Sequence, residues 1–154
     1  MKKFAFGIVA VGIVIAFAYW VFANSDSPDY KAINYYLPES FKGCAVIVYD
    51  QVDAPALTIS DDKEVDVVFD ENGVMKTSSP SNFGWQSEGN SGFHKSHYFS
   101  GGELLAEDDI YSHNIGSIES DKTSEIQYEA ISVKVKDACQ AEVVAQIIEK
   151  NVQQ

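Results

Sequence analysis

From Phe4 to Ala23 the chain carries no charged residue, with Lys2 and Lys3 ahead of the run and the polar string Asn24-Ser25-Asp26-Ser27-Pro28-Asp29 behind it. About 20 apolar residues rising about 1.5 Å each are long enough to cross the roughly 30 Å hydrocarbon core of a bilayer. Lysines before the run and carboxylates after it hold the amino terminus inside and pass the remainder across. The chain therefore divides into a signal anchor or signal peptide (residues 1–23), a polar tether (residues 24–34) and a folded part (residues 35–154) outside the cytoplasm.

Cleavage is the open point. Val21-Phe22-Ala23 suits a signal peptidase, and release after Ala23 gives a secreted or periplasmic product. A signal core, however, is usually only about 7 to 15 apolar residues long. The run here is longer, and Tyr19 and Trp20 suit the outer interface. A single-pass protein of the cell envelope, its bilayer contact made through Phe4 to Ala23, is the favoured reading. A buried core helix would rarely stay free of polar residues over five turns. A pilin-type leader would place a glutamate where this chain has Gly12. No cysteine lies at the end of the run to carry a lipid.

Charge narrows the function classes. The formal charge is −12; without Lys2 and Lys3 the exported part sets nine lysines against 23 carboxylates, a net −14, and the chain has no arginine. Arginine is the usual residue for bidentate phosphate recognition. An acidic surface without it argues against nucleic acid and against anionic polymers as partners.

Cys44 and Cys139 are the only cysteines. In an oxidising compartment an isolated pair reads first as a disulfide, which for so long a loop stabilises by about 4 to 5 kcal/mol in the chain-entropy model. Two buried free thiols are the alternative. Redox catalysis lacks its Cys-x-x-Cys spacing.

Periodicity predicts strands. Cys44 to Tyr49 is apolar on both alternating faces, as in a strand covered on both sides. Leu57 to Ser60 is a short candidate. Glu64 to Phe69 alternates, and Asp70-Glu71-Asn72-Gly73 before Val74-Met75-Lys76 predicts a hairpin. His94 to Ser100, Asp109 to Ile118 and Glu125 to Val135 follow; in the last the apolar phase flips near Ala130, which predicts a bulge or a crossing between sheets. Asp137 and Gln140 predict a capping box, and Val143, Val144, Ile147 and Ile148 a helical stripe with Cys139 one turn earlier on the same side. The expected fold is mainly β: an antiparallel β-sandwich with an amino-terminal membrane helix and a carboxyl-terminal amphipathic helix packed on it.

Chemistry is sparse. His94 and His97, three apart in a strand, point to opposite faces, so neither they nor His113 predict a metal site. The acidic turns lack the spaced oxygen ligands of a calcium loop. Ser60-Asp61-Asp62-Lys63 matches Ser-x-x-Lys only formally, and Gly89-Asn90-Ser91-Gly92 misses the nucleophile-elbow spacing. No cofactor motif and no catalytic residue is assigned. The least bland segment is the loop around Phe83 and Trp85, whose aromatics suit a sugar ring or a partner's apolar patch. The expected function is a non-enzymatic extracytoplasmic module binding an envelope protein or glycan through Phe83 and Trp85. The alternative is a hydrolase using an unrecognised set of His, Ser and Asp residues.

Leu37-Pro38-Glu39-Ser40-Phe41-Lys42-Gly43 before Val46-Ile47-Val48-Tyr49, then Phe69-Asp70-Glu71-Asn72-Gly73-Val74, Thr77-Ser78-Ser79-Pro80 and Gly84-Trp85, resemble an uncharacterised family of small exported bacterial proteins. More distantly they are similar to transthyretin-like and carboxypeptidase regulatory β-sandwiches. The resemblance implies export and a β fold, and no activity. Family members are often lipoproteins, which the absence of an amino-terminal cysteine argues against here. They often carry an aromatic where this chain has Cys44, which implies a bond particular to this branch.

Overall fold

The computed structural model describes residues 32–83, 95–120 and 123–152. The expected membrane segment, most of the tether, His94 and Trp85 lie outside these residues; among the described residues no helix is long and apolar enough to cross a membrane.

Among the described residues eight strands and a helix follow one another: β1 (Ala32–Leu37), β2 (Gly43–Val48), β3 (Glu64–Val68), β4 (Val74–Lys76), β5 (Lys95–Ser100), β6 (Glu103–Leu104), β7 (Ile110–Ser120), β8 (Thr123–Val133) and α1 (Ala141–Val152). β1 takes in the last residues of the expected tether. Leu57 to Ser60 contributes only an isolated bridge from Ile59 to Val65. The strands form two four-stranded sheets, β3-β1-β5-β6 and β4-β2-β8-β7.

The sheets are mixed, where the sequence predicts antiparallel pairing throughout. β1 runs parallel to both β3 and β5, and β2 runs parallel to β4. The cause is visible in the turn after β3. Asp70 Oδ1 accepts the amides of Asn72 and Val74 at 2.9 and 2.8 Å, an Asx-type turn of the kind its sequence predicts. Gly73 takes a φ of +75°, and a Cβ there would stand 2.4 Å from the Phe41 ring. The Gly73 carbonyl then accepts the amide of Val46 at 2.9 Å. The turn thus docks on β2 and carries the chain from one sheet to the other, so β3 and β4 do not form the expected hairpin.

Between the sheets lies a core of Tyr35 and Leu37 from β1, Ala45 and Ile47 from β2, Val65 and Val67 from β3, and Ile131 and Val133 from β8. On the outer face of the second sheet, Cys44, Val46 and Val48 meet Ile126 and Ala130 beneath Val144 and Ile148 of α1. The molecule is therefore three layers deep, sheet on sheet on helix. This explains the phase flip in β8 without a bulge near Ala130. β8 pairs with β2 in unbroken register from Gly43↔Val133 to Val48↔Tyr128; its even residues face the helix and its odd residues face the other sheet. The irregularities in the β7–β8 pairing fall at its ends: an extra residue on β7 between Ile110 and Ser112, and one on β8 between Thr123 and Ile126.

The helix begins at Ala141, later than the expected Asp137 cap. Asp137 and Lys134 take positive φ values of 57° and 56°, so the segment turns before it coils. Cys139 sits in that turn, its amide bonded to the Ser132 hydroxyl at 3.2 Å. Val144 and Ile148 face inward, while Val143 is exposed. Cys139 is bridged to Cys44, with Cα atoms 4.9 Å apart across a separation of 95 residues. The bond ties the start of α1 to the second sheet.

Candidate functional site

The core between the sheets changes character toward one end. Along β8 the inward residues are Val133, Ile131 and then Glu129, a carboxylate on the apolar phase and 5% exposed. Around it converge three tyrosines and a histidine from four other places in the chain. Tyr35 on β1 donates to Glu129 Oε1 at 2.8 Å, and Tyr49, one residue past β2, donates to Oε2 at 2.6 Å. His113 on β7 bonds Oε1 through Nε2. Tyr98 on β5 bonds His113 Nδ1 at 2.6 Å.

Register accounts for the convergence. In the first sheet Tyr35 and Tyr98 are direct neighbours, their rings stacked at 5.0 Å. In the second, His113 opposes Ile131 and Ile115 opposes Glu129, so His113 and Glu129 are diagonal neighbours on one face. The network crosses the gap between the sheets.

Burial alone would raise the Glu129 carboxyl. The hydrogen bond from His113, the imidazole's charge when protonated, and the Tyr49 and Tyr35 hydroxyls outweigh it and hold the carboxyl below its usual range. The group is ionised at neutral pH. An ionised carboxylate only accepts, so Nε2 of His113 carries a proton, and in the neutral imidazole Nδ1 accepts from the Tyr98 hydroxyl. Burial, then the neighbouring Glu129 charge, pushes the Tyr35 phenol far above its ordinary value. The Tyr98 phenol is pushed up to about 12 by burial, with Glu129 adding and a hydrogen bond from Ser96 partly offsetting the rise.

Of these groups Tyr35, Tyr49, His113 and Glu129 line a cavity of about 230 Å³. Ile33, Leu57, Val65, Val67 and Phe83 make its apolar walls, and Ile115, 68% exposed, marks its opening. Phe83 is half-buried and packs against the core between the sheets, so one of the two aromatics assigned from sequence does border the site. Trp85 lies outside the described residues.

The histidines part company. His113 belongs to the network, whereas His97 bonds Asn34 Oδ1 at 3.1 Å in the row of Asn34, Asp66 and His97 across the first sheet. Ser60-Asp61-Asp62-Lys63 is a turn in which the Ser60 hydroxyl accepts the Glu64 amide at 3.0 Å. Among the described residues no three His, Cys, Asp or Glu side chains are grouped to hold a metal ion. Sequence reasoning passed over Glu129. Its signal was present: a carboxylate two residues before Ile131 and four before Val133, on the face that an alternating strand buries.

Residues 30–143 match the model of a family of unknown function, DUF6843. The chain belongs to this family. No curated protein matches it. Among solved structures it is similar to a crystal structure described as "Putative Lipoprotein from Bacillus anthracis", with 17% identity, 77% of this chain and 78% of that chain covered, and a TM-score of 0.49.

Proposed function

We propose that the protein is a non-enzymatic extracytoplasmic module of the bacterial cell envelope that binds a partner by taking one of its groups into the cavity between the sheets. The single observation carrying this reading is the cavity itself, apolar along its walls and ending on a buried, ionised and hydrogen-bonded carboxylate. A few placed polar groups in an otherwise apolar concavity are what recognition sites share. The bridge between Cys44 and Cys139 supports folding in an oxidising compartment. Residues Phe4 to Ala23 then hold the domain at the membrane, or are removed after Ala23. Protein and glycan partners were both open from sequence. At about 230 Å³ the cavity is smaller than the roughly 300–1,000 Å³ of small-molecule sites, which suits one protein side chain better than a run of sugar rings.

The test is recovery of crosslinked partners from envelope extracts with wild type, Phe83→Ala and Trp85→Ala, beside Val52→Ser at a 92% exposed position. We expect loss with Phe83→Ala and none with Val52→Ser. Equal recovery by all would remove the site assignment.

One observation favours the hydrolase alternative: the Ser96 hydroxyl bonds Tyr98, which bonds His113, which bonds Glu129. A serine, an imidazole and a carboxylate thus share one cleft. Against catalysis, both ring nitrogens of His113 are already engaged, and a phenol with a raised pKa stands between Ser96 and the imidazole. A fluorophosphonate probe should leave Ser96 unlabelled; labelling there would reverse the ranking.

A further inference from the structure

Resting on that reading, we infer that the group taken into the cavity is a lysine side chain of a basic protein partner, its ammonium meeting Glu129 Oε2. The argument starts from acceptor counting. A carboxylate offers about four lone-pair positions, two on each oxygen. Tyr35 and His113 use both on Oε1, and Tyr49 uses one on Oε2. Among the described residues one position on Oε2 is left, on a charged group that lines the cavity.

That remaining acceptor selects its donor. It is a single position on one oxygen, so it does not offer the two parallel acceptors that the guanidinium fork of arginine matches. An ammonium is a compact charge with three rotatable donors, and one of them suffices here. Ser81 and Ser96 also line the cavity. The stem of lysine is four methylenes long, and the walls it would pass, Ile33, Leu57, Val65 and Phe83, are apolar.

Long-range charge points the same way. The exported part carries a net −14 and no arginine, so encounter with a basic surface is accelerated and encounter with an acidic one is suppressed. An anionic ligand would face both this field and an ionised carboxylate at the end of the cavity.

The probe is a short glycine-serine peptide holding one central lysine, compared with peptides in which that residue is arginine, norleucine or Nε-acetyl-lysine, and with a monosaccharide panel. Binding is followed by NMR through the His113 and tyrosine ring resonances. We expect the lysine peptide to bind at least about tenfold more tightly than the norleucine peptide, which keeps the stem and lacks the charge. Because Glu129→Gln also changes the network with Tyr35, Tyr49 and His113, the second arm uses the exposed position Ile115. Ile115→Glu should tighten lysine binding severalfold and Ile115→Lys should weaken it, while both variants keep the wild-type fold. Equal binding of lysine and norleucine, preference for arginine or acetyl-lysine, or saturable binding of a sugar would each overturn the lysine assignment. If Phe83→Ala still abolishes partner recovery while no lysine probe binds, the cavity remains the binding site and only its occupant is wrong. If partner recovery is indifferent to Phe83 as well, the binding reading falls with it.

Discussion

Strands β2 and β8 have two covered faces, and the covers are built differently. Toward the helix, Cys44, Val46, Val48, Ile126 and Ala130 meet Val144 and Ile148 in an apolar contact fastened by a disulfide. Toward the other sheet the packing begins the same way, with Ala45, Ile47, Ile131 and Val133. It then gives way to Glu129, His113, Tyr35 and Tyr98, and to a cavity. A buried carboxylate is a poor way to gain stability, because desolvation opposes what its hydrogen bonds return. The face that only needs to hold is dry and closed. The face that carries charge is also the one that opens to solvent.

The largest effect should come from breaking the polar end. Glu129→Ala leaves the Tyr35 and Tyr49 hydroxyls and the His113 N–H without their acceptor, and should cost about 3–5 kcal/mol in urea unfolding. A loss below about 1 kcal/mol would mean that water replaces the carboxylate freely and that the network is peripheral. Next in size is the bridge on the opposite face. Replacing Cys44 and Cys139 together by serine should cost about 2–4 kcal/mol. Under native conditions it should leave the NMR resonances of His113 and Tyr98 unmoved, since α1 packs on the far side of the sheet. Movement of those resonances would show that the faces are coupled.

Acid titration separates the faces by sign. Glu129 has a lowered carboxyl pKa in the folded state, so its contribution is present above the unfolded value, about 4.3, and is lost as pH falls through the lowered folded value. Wild type and the cysteine-free variant should therefore lose stability in acid with parallel slopes, and Glu129→Gln should lose less. The raised phenols of Tyr35 and Tyr98 act in the other direction. Their contribution is whole below about pH 10 and is lost as pH rises through the folded values, for Tyr98 about 12. A Glu129→Gln acid limb as steep as wild type would place the responsible carboxylate elsewhere.

The dry face was the legible one. Its alternation in β2, its stripe in α1 and its two cysteines are local patterns, and each is written within a few residues. The polar end is assembled from Tyr35, Tyr49, Tyr98, His113 and Glu129, with the Tyr35–Glu129 contact spanning 94 residues. Its members meet only once sheet order and register are set, and parallel pairing of β1 with β3 and β5 leaves no turn signature. The hairpin expected around Asp70–Gly73 failed for the same reason: the turn chemistry is local, but which sheet receives the next strand is decided by Phe41 and Val46. Phe83 was singled out as a loop aromatic, and no local pattern says that it would border a carboxylate.

The smallest expected effect on stability is at the same time the sharpest test of the contrast. Phe83 is half-buried at the cavity wall, so Phe83→Ala removes a ring whose neighbours already border open space. The transfer and cavity terms that make truncating a fully buried phenylalanine cost about 3–5 kcal/mol are both smaller for a half-exposed ring beside open space, and the loss should be nearer 1 kcal/mol. Ile148→Ala, on the closed face and 1% exposed, should cost about 2–5 kcal/mol and spare partner recovery. If the two faces have different work, the variants must exchange their ranking when the readout changes from unfolding midpoint to partner recovery. Should Ile148→Ala also abolish recovery in folded protein, the helix face belongs to the interface, and the division between a face that holds and a face that binds does not describe this molecule.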